Sequence, residues 1–253
     1  MKNRILTLCM ATIFAMTAGT AAAAGLLDNL KYNFRFGYMV GGTAPVGLPA
    51  TIRSLDSYKL EPNVTVGIDV NKPLGEHWGV ATGLRLENKG MNIKATVKNY
   101  HMAFVQKGAY LDGYFTGHNQ SEAEEWMITL PVYGYYAFNK NCRVKFGPYI
   151  SVLTSARFTG YAYDGYLRAN TPTGAKIEIG SDEISRGNYD FSDDMRHFQV
   201  GLMAGVDYYW GKRWGAFADL TWGVTGIFKS SFHTIEQTMY PLYGSIGLCY
   251  RLK

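Results

Sequence analysis

A two-residue period, kept over about ten residues at a time and repeated in eight segments, constrains this chain more than anything else in it. Successive side chains of a strand point to opposite faces. A run that alternates apolar with small or polar residues therefore presents one face to an apolar medium and the other to a wetter one. The first segment, Tyr32 to Gly41, sets Tyr32, Phe34, Phe36, Tyr38 and Val40 against Asn33, Arg35, Gly37 and Met39. The second, Asn63 to Asn71, sets Val64, Val66, Ile68 and Val70 against Thr65, Gly67 and Asp69. The same phase runs from Trp78 to about Met91, Trp126 to Phe138, Arg143 to about Phe158, Arg196 to Tyr209, Trp214 to about Phe228 and Tyr240 to Leu252.

The links between these segments alternate in length. Lys72 to His77, Asn139 to Cys142 and Trp210 to Arg213 are short, whereas Gly42 to Pro62, Asn92 to Glu125, Thr159 to Met195 and Lys229 to Met239 are longer. Short turns on one side and long loops on the other are the pattern of an outer-membrane barrel whose termini both lie in the periplasm. The expected fold is all-β: an eight-stranded antiparallel transmembrane β-barrel with short periplasmic turns and long outer loops. Trp78, Trp210 and Trp214 then fall at the periplasmic rim and Trp126 at the outer one, as girdle residues.

A soluble lipocalin-like barrel also alternates, but it hides its apolar face in a common core. Composition favours the membrane: charged residues make up 18% of the chain, against about 25% in soluble domains. Arg35, Asp69, Arg85, Glu87, Lys145, Asp207 and Asp219 all lie on the glycine-rich face, where a narrow lumen would pair them. Past the N-terminus no apolar run reaches the roughly 18 residues a membrane helix needs.

Export is read from the first residues. Lys2 and Arg4 precede an apolar stretch from Ile5 to Ala18 and the small-residue run Gly19 to Gly25, the layout of a signal peptide. Cleavage is expected before Gly25, so that 1–24 is the signal peptide and 25–253 the outer-membrane β-barrel domain. Cys9 sits too early in the apolar stretch to be a lipid-attachment site. Cleavage leaves Cys142 and Cys249, read as two separate thiols with pairing left open. Loss of Lys2 and Arg4 lowers the formal charge from +5 to +3, which gives no reason to expect a nucleic-acid partner.

Several segments resemble the PorT-like family of outer-membrane β-barrel proteins of Bacteroidetes. They are Ile128-Thr129-Leu130-Pro131-Val132, Val144-Lys145-Phe146-Gly147-Pro148-Tyr149, the run Phe198 to Val206, and the closing Gly247-Leu248-Cys249-Tyr250-Arg251-Leu252. The resemblance spans the chain after the signal peptide. It implies an integral protein of a Gram-negative outer membrane, in a family of mostly unassigned roles with some members linked to secretion. The terminal Leu252-Lys253 departs from the usual final aromatic and leaves Tyr250 as the nearest one for the insertion machinery.

Chemistry is sparse. Ser231 and His233 share one face of an extended loop, but no third group orients the imidazole, so catalysis is not expected. His77, His101, His118, His197 and His233 are scattered without metal-ligand spacing. Asp190 to Asp194 are rich in carboxylates without a calcium-loop pattern, and read as a solvated surface loop. The interior charges carry more: Arg35 with Asp69, and Lys145 with Asp207, fall at similar depth and are expected to fill the lumen as ion pairs. No catalytic, cofactor or metal residue is assigned. The leading expectation is a non-enzymatic barrel, structural or binding through its surface loops. A small porin-like channel is second and a lipid-modifying enzyme third. Expected partners are outer-membrane lipid, the barrel-insertion machinery, and envelope or secretion proteins.

Overall fold

β-Branched and aromatic residues at every second position favour extended backbone, and a single antiparallel sheet takes up most of the described residues. The computed structural model describes residues 28–252 apart from 46, 48, 60, 62, 233, 236 and 237. The expected signal peptide, with Cys9 and the expected cleavage position, lies outside the described residues. The strands are β1 (Lys31–Pro45), β2 (Ile52–Lys59), β3 (Asn63–Pro73), β4 (Trp78–Gln106), β5 (Ala109–Ala137), β6 (Cys142–Ala169), β7 (Lys176–Ile179), β8 (Gly187–Asp190), β9 (Phe198–Tyr209), β10 (Trp214–Gly223) and β11 (Met239–Arg251).

Eight of them form a ring in the order β1-β3-β4-β5-β6-β9-β10-β11, every pairing antiparallel. β1 closes it against β11, with Asn33 opposite Arg251 and Pro45 opposite Met239. The eight alternating segments are these eight strands. The seventh stops at Gly223 rather than near Phe228, because the chain then turns inward: Phe228 bridges Met195 and is buried.

The two faces of the wall are inverted relative to a soluble protein. Phe146 and Ile246 point outward and are 61% and 65% exposed, whereas Asp69 and Asp207 point inward and are wholly buried. Such a surface is stable only against lipid, and the closed ring pairs both edges of every strand along its inner part, up to Met39 of β1. Trp78, Trp210 and Trp214 are exposed at the end where β1 begins and β11 finishes, and there Trp78 meets Tyr136 and Trp214 meets Tyr250 edge to face. Trp126 and Trp222 mark the other rim. There a bulge inserts Thr154 into β6, and its hydroxyl donates to the Trp126 carbonyl (2.9 Å). Bulges of this kind re-aim a wall at a barrel rim.

Pro131 and Pro148, in the two strand segments quoted for the family resemblance, sit within the wall, where a missing N–H breaks the ladder. The β4–β5 pairing skips from Thr82–Val132 to Arg85–Thr129, and the β5–β6 pairing from Pro131–Tyr149 to Gly134–Phe146. The Thr82 hydroxyl donates to the Pro131 carbonyl (2.9 Å), one local substitute for the lost bonds.

The long outer connections are present, and much of their length is itself pleated. β4 and β5 continue beyond the rim as a paired hairpin to Gln106 and Ala109, turning through Lys107 and Gly108 at φ +50° and +80°. Two left-handed residues give the turn whose twist suits a two-residue hairpin. β2 adds to the outer part of β4, β7 to β6, and β8 bridges β6 and β4. These strands enclose an apolar core containing Met91, Met102, Phe104, Phe115, Phe158, Phe191 and Phe228. The protein is therefore a membrane barrel continued outward as a packed β-cap.

Candidate functional site

The lumen holds the densest chemistry. Arg35 on β1 donates from Nη1 to Asp69 Oδ2 (3.0 Å) and from Nη2 to Asp219 Oδ2 (2.7 Å). Arg85 on β4 reaches the same two carboxylates at 3.2 and 3.4 Å. Lys145 on β6 lies 2.8 Å from Asp207 Oδ1 and 2.7 Å from Asp219 Oδ1, and Arg143 donates to Asp207 Oδ2 at 2.7 Å. The Tyr133 hydroxyl donates to Asp69 Oδ2 (2.9 Å). Both anticipated pairs form, since Arg35 meets Asp69 and Lys145 meets Asp207. Both belong to a larger network centred on Asp207 and Asp219, and Arg143, two residues before Lys145 and so on the same inner face, joins it as a cation not named among the expected interior charges.

Glycines let this network close. A Cβ on Gly37 or Gly247 would lie 2.6 or 2.8 Å from the Phe217 ring, and that ring carries the Arg35 guanidinium 3.9 Å from its centroid. A Cβ on Gly205 would stand 2.1 Å from Asp219 Oδ1 and 2.8 Å from the Lys145 side chain. Interior charges without partners would be costly in so small a barrel; paired in this way, they fill it. Toward the outer rim Lys89 lies 3.2 Å from Glu87, and Gln199 donates to Glu125 Oε1 at 3.0 Å. Glu125 Oε2 and Gln199 Oε1 have no hydrogen-bond partner among the described residues.

The periplasmic mouth is a vestibule of about 780 Å³, edged by Lys31, Lys140, Lys212 and Arg213 and narrowing onto Asn71, Arg143 and Tyr209. Its floor is tied down: Arg143 Nη1 donates to Asn71 Oδ1 (2.9 Å), and the Arg251 guanidinium lies 3.5 Å over the Tyr209 ring. At the opposite end the apolar cap lies over the barrel. The Tyr189 hydroxyl there bonds Ser121 Oγ (2.8 Å) and donates to Asn119 Oδ1 (2.9 Å), while burial pushes its phenol up to about 12.

The remaining candidates are dispersed. Ser231 is exposed and His233 lies outside the described residues, so the structure does not place that pair. Asp190 Oδ1 accepts from the Ser192 amide (3.0 Å) and hydroxyl (2.5 Å), fastening the turn between β8 and β9. The buried neighbours Phe191 and Met195 make that segment part of the cap rather than a solvated loop. His77 lies in a periplasmic turn, 2.8 Å from the Ala137 carbonyl, while His101 and His118 lie on the cap beside Asp112 (3.2 Å) and Asp56 (3.6 Å). Among the described residues no three His, Cys, Asp or Glu side chains converge on a possible metal position. Cys142 and Cys249 are separate free thiols.

The closed ring, the lipid-facing band and the charged interior set the context for comparison with known proteins. The family described as outer membrane protein beta-barrel domain matches residues 21–229. This chain belongs to that family. Membership in the outer membrane barrel family agrees with the inverted wall and makes the chain an outer-membrane protein. Among solved structures, it is similar to the attachment invasion locus protein Ail of Yersinia pestis in complex with the heparin analogue sucrose octasulfate. That match has 7% identity over 88% of this chain and 97% of that one, with a TM-score of 0.37. A second structure of Ail matches at 9% identity over 88% and 97% of the two chains, TM-score 0.36. The translocator domain of the autotransporter NalP from Neisseria meningitidis matches at 14% identity over 96% of each chain, TM-score 0.25. No curated protein sequence matches the chain significantly.

Proposed function

We propose that this outer-membrane barrel has a non-enzymatic role, structural or binding, and that its outer β-cap performs it while the barrel serves as the anchor. The observation that carries this reading is the division of the interior. The membrane half is filled by mutually paired Arg35, Arg85, Arg143, Lys145, Asp69, Asp207 and Asp219, and the outer half is a packed core supporting an exposed surface. A porin-like channel needs interior charges free to meet a passing solute, and the pairing of these argues against it. A lipid-modifying enzyme would need an oriented nucleophile, for which Ser231 offers no support.

Within the family we assign the chain to the PorT-like group of Bacteroidetes, on the Ile128–Val132 and Val144–Tyr149 segments and the closing strand. We further propose that a signal peptide is removed before Gly25. Lipid at the apolar band, the barrel-insertion machinery during assembly, and envelope or secretion proteins at the cap would then be the partners.

A photo-crosslinking amino acid tests the binding role when placed at Tyr110, which is 69% exposed beside the tip of the β4–β5 hairpin. In whole cells it should give discrete higher-mass adducts. The same group at Lys140, in a periplasmic turn, should not give those adducts. A smear identical from both sites would count against a cap that binds a partner.

A further inference from the structure

The barrel wall has a seam on its outer side. The β1–β3 ladder ends at Met39 opposite Asn63, yet β1 runs on to Pro45 with β11 as its one ladder partner among the described residues. Farther out, β2 pairs with β4 from Lys59–Asn92 to Ile52–Val97, and no described ladder joins either strand to Val40–Pro45 of β1. Side chains bridge the interval instead. Asn63 exchanges two bonds with the Gly90 backbone at 2.5 and 2.9 Å where β3 gives out. Above it the Tyr58 hydroxyl donates to the Gly41 carbonyl, and the Thr43 amide finds only the Met91 sulfur, at 3.2 Å. An amide satisfied by a thioether is weakly held, and this part of the wall is held by side chains in place of a ladder.

Behind the seam lies a cleft of about 280 Å³, close to the lower end of the ~300–1,000 Å³ range of ligand pockets. No described residue lining it is charged. Its walls are aliphatic and methionine-rich, including Met91, Ile93, Val97 and Met102, a lining that adapts to a flexible apolar guest. Of the polar groups it contains, Asn119, Ser121 and Tyr189 bond one another, and the Tyr58 hydroxyl is spent on the Gly41 carbonyl. Its rim carries the exposed Leu55, Tyr58 and Leu242. Leu242 pairs with Gly42 on one side and with Trp222 of the outer girdle on the other, which puts the opening at the depth of the outer lipid interface.

We propose that the seam between β1 and β2–β4 is a lateral port, and that the cleft behind it takes a single alkyl chain from the surrounding membrane. The uncharged lining selects the chain and leaves its headgroup outside, and the volume admits one chain rather than a whole lipid. A chain that leaves lipid for the cleft exchanges one apolar medium for another, so its binding rests on packing against the lining rather than on escape from water. The source is either the acyl tail of a membrane lipid or a free fatty acid partitioned into the bilayer. The inference rests on the apolar band lying in lipid, and its test reports that separately.

The test uses the barrel refolded into phosphatidylcholine vesicles, with a photoactivatable diazirine on the chain of a phospholipid in one arm and of a free fatty acid in the other. Adducts are mapped by peptide mass spectrometry. Outward residues such as Leu84 and Ile246 should label in any membrane barrel, and their failure to label would overturn the membrane placement itself. The port predicts added labelling at inward residues Met91 and Met102. Inward labelling in the phospholipid arm supports the membrane tail as source, and in the fatty-acid arm alone the free acid. Labelling of outward residues only, in both arms, overturns the proposal. Gly42→Leu fills the space between Met91 and Tyr58, where a Cβ meets their flexible ends at 3.3 and 3.6 Å. It should lower inward adducts at least tenfold and leave outward ones unchanged. Ala95→Phe, which fills the cleft from β4, should do the same, and unaltered inward labelling in both folded variants overturns the lateral route.

Discussion

Asp219 meets Arg35, Arg85 and Lys145 together, and its loss would leave three buried cations short of a counter-ion. Breaking a buried ion pair by removing one partner costs roughly 3–5 kcal/mol, so Asp219→Ala should lower the stability of the refolded barrel by about that amount in urea unfolding. Unchanged stability would mean that water already screens the lumen. Such hubs are only half legible in a sequence. Alternation puts Arg35, Asp69, Lys145, Asp207 and Asp219 on the inner face, and the pairs Arg35–Asp69 and Lys145–Asp207 follow from similar depth on the wall. Contacts across the lumen depend on strand tilt and on which glycine makes room, so that Asp219, near enough to Lys145 only because Gly205 has no side chain, was not distinguishable beforehand.

The β4–β5 hairpin carries strand periodicity well past the length of a membrane strand. Met91, Ile93, Ala95 and Val97 continue inward-facing alternation beyond the rim, opposite Asn92, Lys94 and Thr96. Because the outward face turns polar once it leaves lipid, the segment resembles a loop when judged by membrane length. Its two-residue turn demands left-handed backbone at Gly108, φ +80°. Gly108→Val should therefore cost about 1–3 kcal/mol of local stability, seen as faster amide exchange on both sides of the tip with the membrane strands unaffected. β2 is tied to the hairpin through Asp56, which accepts from the Ser54 hydroxyl (2.6 Å) and the Thr96 hydroxyl (2.7 Å) and faces His118. The Ser54 bond, then that of Thr96, lowers the Asp56 carboxyl below its ordinary value of 3.8. A depressed carboxylate stabilises the fold above its unfolded pKa, and that contribution is lost as pH falls through the folded value. Amide protection factors over Ile52–Lys59, which remove the intrinsic pH dependence of exchange, should accordingly fall below about pH 4 while those of the barrel strands hold, and pH-independent protection there would remove Asp56 as the tether.

Taken whole, the molecule is a ring whose outward face needs lipid and whose inward face needs its own counter-charges. Strand number, turn side and the aromatic rims could all be foreseen, since each depends on a period of two and on link length alone. The cap could not: its core joins Phe104, Phe115, Phe158, Phe191 and Phe228 from connections far apart in the chain, and nothing local marks them as neighbours. The division between a filled lumen and a working cap is the central claim, and single-channel recording of the refolded barrel in a planar bilayer tests it most directly, with slower migration after boiling used beforehand to confirm folding. The account predicts a silent bilayer from folded protein. Discrete conductance steps would contradict it, because ions would then be crossing the level at which Arg35, Asp69, Asp207 and Asp219 close the interior.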